Sequence, residues 1–312
     1  MISVVMPCFN AEAHLAASVA SALDQSFGDI ELIVVDDGST DGSTAILADI
    51  RDPRVRVLTQ CNSGVCAARN AGLVMARGEF VAFLDADDTW HPDCLQELHG
   101  ALENSPAAIA YCGWQNIGLP GPRGEPHVPP DLEGNGKLRT LFDNCQWPIH
   151  ACLTRCDAIM AAGGFDPRFK TSEDYLLWLK IGKEHPLIRV PRVLAYYHFH
   201  GVAQATGNKA RVAINHFHAQ CAFVAEFPGD ARRIPPHALW ASMEGRLLQR
   251  GLECHWNRDL AHARPIFRTL LREGRSEWRH WRHWRYALPA FLPAPVHAAL
   301  MRLADRGGAG RE

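Results

Sequence analysis

Three times near the start of this chain an apolar run of strand length gives way to a helical pattern. Ile2 to Met6 precedes Leu15 to Leu23, Glu31 to Val35 precedes Thr44 to Ile50, and Val55 to Leu58 precedes Val65 to Met75. Strands joined through helices lie side by side in parallel with the helices covering their faces. The rhythm therefore predicts an α/β fold, a doubly wound and mostly parallel sheet with flanking helices. A strand over Glu79 to Leu84, a helix from Pro92 to Leu102 and a short strand at Ile109 to Cys112 extend the series. From Gly113 to Lys137 the pattern dissolves into Gly and Pro, which predicts a functional lid or a disordered loop, and structure resumes near Leu138. Past Gly207 the composition turns to helices rich in His, Trp and Arg, over Ala210 to Phe227, Ala238 to Gly251 and Asp259 to Arg272. Residues 208–312 thus form a C-terminal helical appendage to a domain spanning residues 1–207.

With 312 residues, 47% of them hydrophobic, the chain can bury a substantial core. Its formal charge of −2 argues against a nucleic-acid partner, whose phosphates demand a basic surface. The ten cysteines include no Cys-x-x-Cys pair, and most lie in apolar stretches, as reduced thiols of a cytoplasmic protein do. The N-terminus lacks the basic start and long apolar core of a signal peptide, and no stretch reaches the roughly 20 apolar residues that span a bilayer. A cytoplasmic protein, soluble or peripheral on the membrane face, is expected.

Chemistry concentrates where strands end. After the Glu79 to Leu84 run come Asp85, Ala86, Asp87 and Asp88, at the carboxyl edge where open parallel sheets bind ligands. Carboxylates there suit Mg²⁺ or Mn²⁺, while a solvated acidic turn capping the next helix accounts for the same residues. Val35 to Gly42 has the spacing of a calcium loop but ends on Ala48 where a bidentate Glu is needed. Asp37 either accepts a nucleobase N–H or merely shapes the turn. Asn62 to Val65 leads into a helix bearing Arg69 and Asn70, where backbone N–H groups and a guanidinium can meet a diphosphate, or where Arg69 is a surface ion-pair partner. Glu173 and Asp174 open an amphipathic helix; they either complement its dipole or remove a proton from a hydroxyl nucleophile. Strand alternation sends His198 and His200 to one face, as an exposed pair or as a metal or phosphate contact.

In order, these segments resemble the family 2 glycosyltransferases of GT-A fold, over about residues 1–205. The carriers are Pro7-Cys8-Phe9-Asn10, Val35-Asp36-Asp37-Gly38-Ser39-Thr40-Asp41, Asn62-x-Gly64 with Ala68-Arg69-Asn70, Phe83-Leu84-Asp85-Ala86-Asp87-Asp88, Gly163-Gly164-Phe165-Asp166 and Glu173-Asp174. The resemblance implies an inverting enzyme of polysaccharide biosynthesis at the cell envelope, taking a nucleotide-sugar donor, a UDP-sugar by preference, with Mn²⁺ or Mg²⁺. It implies a nucleotide-binding half over residues 1–112 and an acceptor and catalytic half over 113–207. By the same resemblance Pro7, Phe9, Asn10, Asp37, Gly64, Arg69, Asp85 and Ala86 bind the donor, Asp87 and His200 hold the metal, and Asp174 is the base. The family often carries an Arg just before the position of His200, where this chain has His198.

Trp147 and His150, with the loop from Gly113, are the residues whose aromatic faces suit the sugar rings of a glycan or lipid-linked acceptor, and Glu173 joins that acceptor set. A nucleotide-sugar-binding protein without turnover remains an alternative reading. A haloacid-dehalogenase-type phosphohydrolase, using Asp85 as nucleophile, lacks its later Gly-Asp-x-x-x-Asp motif here. A dinucleotide oxidoreductase lacks Gly-x-Gly-x-x-Gly after the first strand. Between Glu277 and Tyr286 a Trp recurs every three residues beside Arg, and Leu288 to Met301 is apolar and broken by Pro. Residues 277–301 fit a peripheral membrane contact, and equally a helix packed on its own domain or on a second subunit of an oligomer.

Overall fold

Strands β1 (Ile2–Cys8), β2 (Ile30–Asp36) and β4 (Phe80–Phe83) are buried at every position, which is why each reads as a nearly continuous apolar run, broken only by the buried Ser3, Glu31 and Asp36. The computed structural model describes residues 1–134, 136–200, 207–274, 287–293, 295–297, 299 and 301. Its chain divides into two units, Met1–Gln204 and Ala205–Glu312.

The first unit is built on one eight-stranded sheet of order β3-β2-β1-β4-β7-β6-β8-β5. The remaining strands are β3 (Val55–Thr59), β5 (Thr89–Trp90), β6 (Ile109–Ile117), β7 (Cys152–Arg155) and β8 (Leu187–His198). The expected doubly wound pattern holds through β3, β2, β1 and β4, which pair in parallel. β7 then inserts antiparallel to both β4 and β6, β6 and β8 are parallel, and the two-residue β5 closes the edge antiparallel to β8. The chain runs outward from β1 to β3 and returns to β4 on the other side. The carboxyl ends of β1 and β4 therefore flank a topological switch point, the standard location of a ligand crevice in such sheets.

Helices α1 (Leu15–Leu23), α2 (Ser43–Asp49), α3 (Val65–Met75), α4 (Cys94–Glu103), α5 (Lys137–Asp143), α6 (Cys156–Ala161) and α7 (Glu173–Glu184) accompany the sheet. α3 packs on β1 and β2, and α4 on β6, β7 and β8. The lid or disordered loop expected from Gly113 is not what forms first. β6 continues to Ile117 through a register irregularity at Cys112, Gly113 and Trp114, and its added residues pair with β8. The Pro-rich stretch is then tied back to that strand. Trp114 and His127 exchange backbone hydrogen bonds of 2.9 and 2.8 Å, and the Tyr111 hydroxyl donates to Pro130 O and accepts from Leu132 N, both at 2.9 Å.

The second unit is helical: α8 (Lys209–Glu226), α9 (Pro228–Ala231), α10 (Pro236–Trp240), α11 (Arg246–Trp256) and α12 (Leu260–Glu273), with a 3₁₀ turn at Leu288–Phe291. The helix expected over Ala238 to Gly251 forms and extends from Pro236 to Trp256, with one π-helical stretch at Ala241–Gly245 between α10 and α11. Phe217, Leu247, Ile266, Phe267 and Leu270 form its core. The Trp and Arg repeat at 277–286 lies outside the described residues. Among the described residues no helix is long and apolar enough to cross a membrane.

One backbone feature fixes how the segment before α7 meets α3. The side-chain amide of Asn70 donates to Phe165 O at 2.8 Å, and Phe165 N donates back to Asn70 Oδ1 at 2.9 Å. That embrace requires Gly164, whose φ is +68° and whose Cβ, if present, would lie 2.9 Å from Asn70 Oδ1. Gly164→Ala is expected to lower stability by about 1–3 kcal/mol, read from the midpoint shift of urea unfolding.

Candidate functional site

The loops after β1 and β2 are bound into one another before any ligand enters. Asn10, itself at φ 51°, accepts through Oδ1 from Thr40 N at 2.8 Å, while Asn10 N donates to Ser39 Oγ at 3.0 Å. Asp36, fully buried, accepts from Ser39 N at 2.9 Å. Pro7 lies within β1, and Phe9 just beyond it presents an exposed ring at the crevice edge.

Asp37 is occupied by the protein itself. Its Oδ1 accepts from Gln60 Nε2 at 2.7 Å and Ser63 N at 2.8 Å, and its Oδ2 from Gly64 N at 2.8 Å. Buried and holding three donors, this carboxylate pins the 60–64 turn against the end of β2. Gly64, at φ +89°, caps α3 with open space where a Cβ would sit, so a ligand can approach its backbone closely.

The acidic loop after β4 meets three different environments. Asp85 and Asp87 are partly exposed, Ala86 between them is buried, and Asp88 is almost fully buried. Asp88 Oδ1 accepts from His198 N at 2.8 Å, and its Oδ2 lies 3.1 Å from Nδ1 of the fully buried His150, in an alignment too poor for a hydrogen bond. Burial pushes Asp88 well above the usual carboxylate range, helped by the charges of Asp85 and Asp87, and burial pushes His150 down to about 4. Both shifts disfavour the charged forms of the pair, because each group is buried. His198 closes β8, with Nε2 2.9 Å from Thr89 Oγ1.

His200 lies just past β8, yet its ring is parallel to that of His198 within 1°, at 6.1 Å between centroids. The ring of His14, from the start of α1, stacks on its other side at 3.6 Å and 20°. Nε2 of His200 is buried without a hydrogen-bond partner and stands 3.9 Å from Asp87 Oδ2. A buried imidazole nitrogen turned toward a carboxylate fits a cation. Among the described residues no three such groups converge as a complete metal site. Asp87 and His200 are two groups that could hold a cation between them, with phosphate oxygens and water needed to complete its shell.

Arg69 has a different place from the one its sequence position indicates. The guanidinium is buried, donating through Nη2 to Asp85 Oδ1 at 2.7 Å and through Nη1 to Glu173 Oε1 at 2.6 Å, and it lies 5.4 Å over the ring of Phe165. Both ends of the fork are spent on protein carboxylates, so it does not face a diphosphate. Burial works against its charge, but Asp85 and Glu173 outweigh that and raise its pKa. Glu173, expected in the acceptor set, is the buried partner of this ion pair.

Asp174, next in sequence, is partly exposed. It follows Ser172, the residue before α7, which holds a left-handed φ of 67° at a cost that non-glycine residues seldom bear away from functional sites. Oδ1 of Asp174 accepts from Tyr175 N at 2.7 Å, and the Cys145 thiol lies 3.9 Å from Oδ2. Burial, reinforced by the charge of Glu173, pushes Asp174 up to about 7.

The aromatic acceptor residues are likewise corrected. Trp147 is buried, its ring stacked on Tyr111 at 4.5 Å and 12°, and His150 is buried beside Asp88 with its carbonyl accepting from Trp90 Nε1 at 2.6 Å. Neither offers a face to a sugar. Sequence reasoning passed over Asp88 as a buried plug, although it stood in the acidic motif, and over His14, which no sequence signal connects to His200.

The family model for "Glycosyl transferase family 2" matches residues 3–161. The chain is 32% identical over 186 residues to the Escherichia coli UDP-Glc:alpha-D-GlcNAc-diphosphoundecaprenol beta-1,3-glucosyltransferase WfgD, covering 59% of this chain and 71% of that protein. Against two other curated relatives the matched segment is only 44% and 43% of their length. In fold it is similar to S. aureus TarS 1-349 in complex with UDP-GlcNAc, with TM-score 0.58 and 17% identity over 86% of this chain and 91% of that one. It is also similar to the mannosyltransferase PcManGT from Pyrobaculum calidifontis in complex with GDP-Man and Mn²⁺, with TM-score 0.54 and 18% identity over 100% of this chain and 88% of that one.

Removing the guanidinium leaves two carboxylates without their shared cation. Arg69→Met is expected to destabilise the chain by about 3–5 kcal/mol in urea unfolding. Arg69→Lys should recover only part of this, because one ammonium cannot serve as a planar fork to two carboxylates.

Proposed function

The chain belongs to glycosyl transferase family 2, and on that premise we infer that it moves a sugar from a nucleoside-diphosphate sugar, a UDP-sugar by preference, to a hydroxyl of a glycan or lipid-linked acceptor, with inversion at the anomeric carbon. The observation that carries this reading is Asp174: a partly exposed carboxyl at the strained start of α7, its pKa about 7, one residue from the Glu173 that Arg69 ties to Asp85. A carboxyl titrating near neutrality is a competent proton acceptor at working pH. The donor named for the E. coli relative and the nucleotides bound by the two structural neighbours support the same class of substrate, and the diphosphoundecaprenol of that relative's name favours a lipid-linked acceptor.

In this reading the donor lies across the switch point between β1 and β4, with its diphosphate at the open backbone of Gly64 and the acidic loop. Asp87 and His200 hold Mn²⁺ or Mg²⁺, which, when bound, neutralises charge on the leaving diphosphate. Asp174 takes the proton of the acceptor hydroxyl, whose oxygen bonds to the anomeric carbon as the bond to the diphosphate oxygen breaks on the opposite face. Arg69 keeps Asp85 and Glu173 in place and limits the negative charge around Asp174. Asp37 keeps the turn over 60–64 in shape for the base.

Titration calorimetry with UDP, GDP and dTDP, each with Mn²⁺ and with EDTA, tests the donor site. UDP is expected to bind best and only with metal, and Asp87→Ala should remove the metal dependence. No binding under any condition would overturn the reading.

Because the base form of Asp174 exists above its raised pKa, transfer should fall as pH drops through about 7. Asp174→Asn should cut kcat by about 10²- to 10⁴-fold while sparing UDP binding. The same shift means that the ionised carboxylate opposes folding once the pH passes the unfolded value, so the Tm of Asp174→Asn at pH 8 should be no lower than that of the native chain. Near-normal transfer by this variant would move the base role elsewhere.

A further inference from the structure

In the second unit a group of outward-facing apolar side chains is held in place by arginines. Arg264, Arg268 and Arg272 recur every four residues along α12 and so share one helix face. Arg264 Nη2 donates to Leu292 O at 2.6 Å, and Arg268 Nε donates to Ala290 O at 2.9 Å, which fastens the turn beyond Ala287 by its backbone. The guanidinium carbons of Arg268 and Arg272 lie 5.8 and 6.0 Å from the centre of the Phe291 ring. Ala287 and Ala290 are buried in the helical core, whereas Leu288 (51% exposed), Phe291 (46%), Leu292 (37%) and Val296 (45%) face outward. The small residues of the turn go in and the large apolar ones stay out, the reverse of what water favours.

Charge indicates what covers them. Residues 205–312 carry 17 Lys and Arg against 9 Asp and Glu, whereas residues 1–204 carry 15 against 25. The near-neutral whole conceals a basic unit and an acidic one. Large apolar side chains beside arginines, on the basic unit, match an anionic bilayer: the apolar groups enter the acyl boundary and the guanidiniums meet lipid phosphates. A nucleic acid would answer the charge but not the exposed Leu and Phe, and a second copy would bring the same positive charge against itself.

We propose that the face formed by α12 with Leu288, Phe291, Leu292 and Val296 docks this unit on an anionic lipid surface. The surface uses no residue of the transferase site, so it stands or falls separately from the reading of that site.

The test is flotation of the full chain with vesicles rich in phosphatidylglycerol and with vesicles of phosphatidylcholine alone. Binding is expected to the first and not the second, and high salt should weaken it. The double variant Phe291→Ser/Leu292→Ser and, separately, Arg272→Glu should each reduce binding to phosphatidylglycerol vesicles by at least about tenfold. UDP calorimetry on the same samples should be unchanged, which separates a lost docking surface from a misfolded chain. A wild-type chain that stays in the soluble fraction, or variants that float as well as it does, would overturn the proposal. So would a dimer in light scattering that the double variant dissociates, since the face would then belong to a second copy. Retardation of a DNA or RNA fragment that Arg272→Glu abolishes, without vesicle binding, would give it to nucleic acid.

Discussion

The guanidinium of Arg69 carries a full charge into the interior, and two carboxylates far apart in sequence answer it: Asp85 at the end of β4 and Glu173 at the start of α7. Desolvating such a charge costs several kcal/mol, and only an arrangement that satisfies both ends of the fork offsets it. The same helix, α3, holds Phe165 through Asn70 and bonds Phe169 O through the Cys66 thiol at 3.0 Å. A single helix thus ties the parallel half of the sheet to the segment that delivers Asp174, and the position of Asp174 relative to the crevice follows from it.

That ion pair also shapes the electrostatics of the site. Glu173 and Asp85 have a cation between them, while burial and the charge of Glu173 outweigh the pull of Arg69 on Asp174 and lift its pKa toward neutrality. The acidic loop after β4 is divided by depth in a similar way. Asp88 goes inward, where burial raises its carboxyl, and accepts from the backbone at the end of β8 beside His150, while Asp85 is held by Arg69 and Asp87 stays partly exposed. Adjacent carboxylates need separate fates, because three ionised together at this spacing would repel one another.

Legibility in the sequence followed burial pattern. β1, β2 and β4 were readable because a strand buried on both faces leaves a nearly continuous apolar run, and α3 because its period is regular. The extension of β6 to Ile117 was not, since the irregularity at Gly113 breaks alternation and the bonds that make it a strand come from β8, some 80 residues on. β7 left no signal of its own: four residues inserted antiparallel between β4 and β6 are specified by their neighbours. Trp147 and His150 looked like surface aromatics in a polar stretch, yet both pack inward, because local composition does not report which loop the core closes over.

By itself, the sequence determined the class of fold, the order of the motifs and the presence of carboxylates at the carboxyl edge of the sheet, because periodicity and strand-end position are local properties. Tertiary structure alone decided what each charged group does. Arg69 passed from an expected phosphate contact to the bridge between Asp85 and Glu173, Asp37 is taken up by the 60–64 turn, and His14 came to stack on His200 from more than half the chain away. The role of a charge depends on its depth and on which opposite charge lies within a few ångströms, and both are settled only when distant segments pack together.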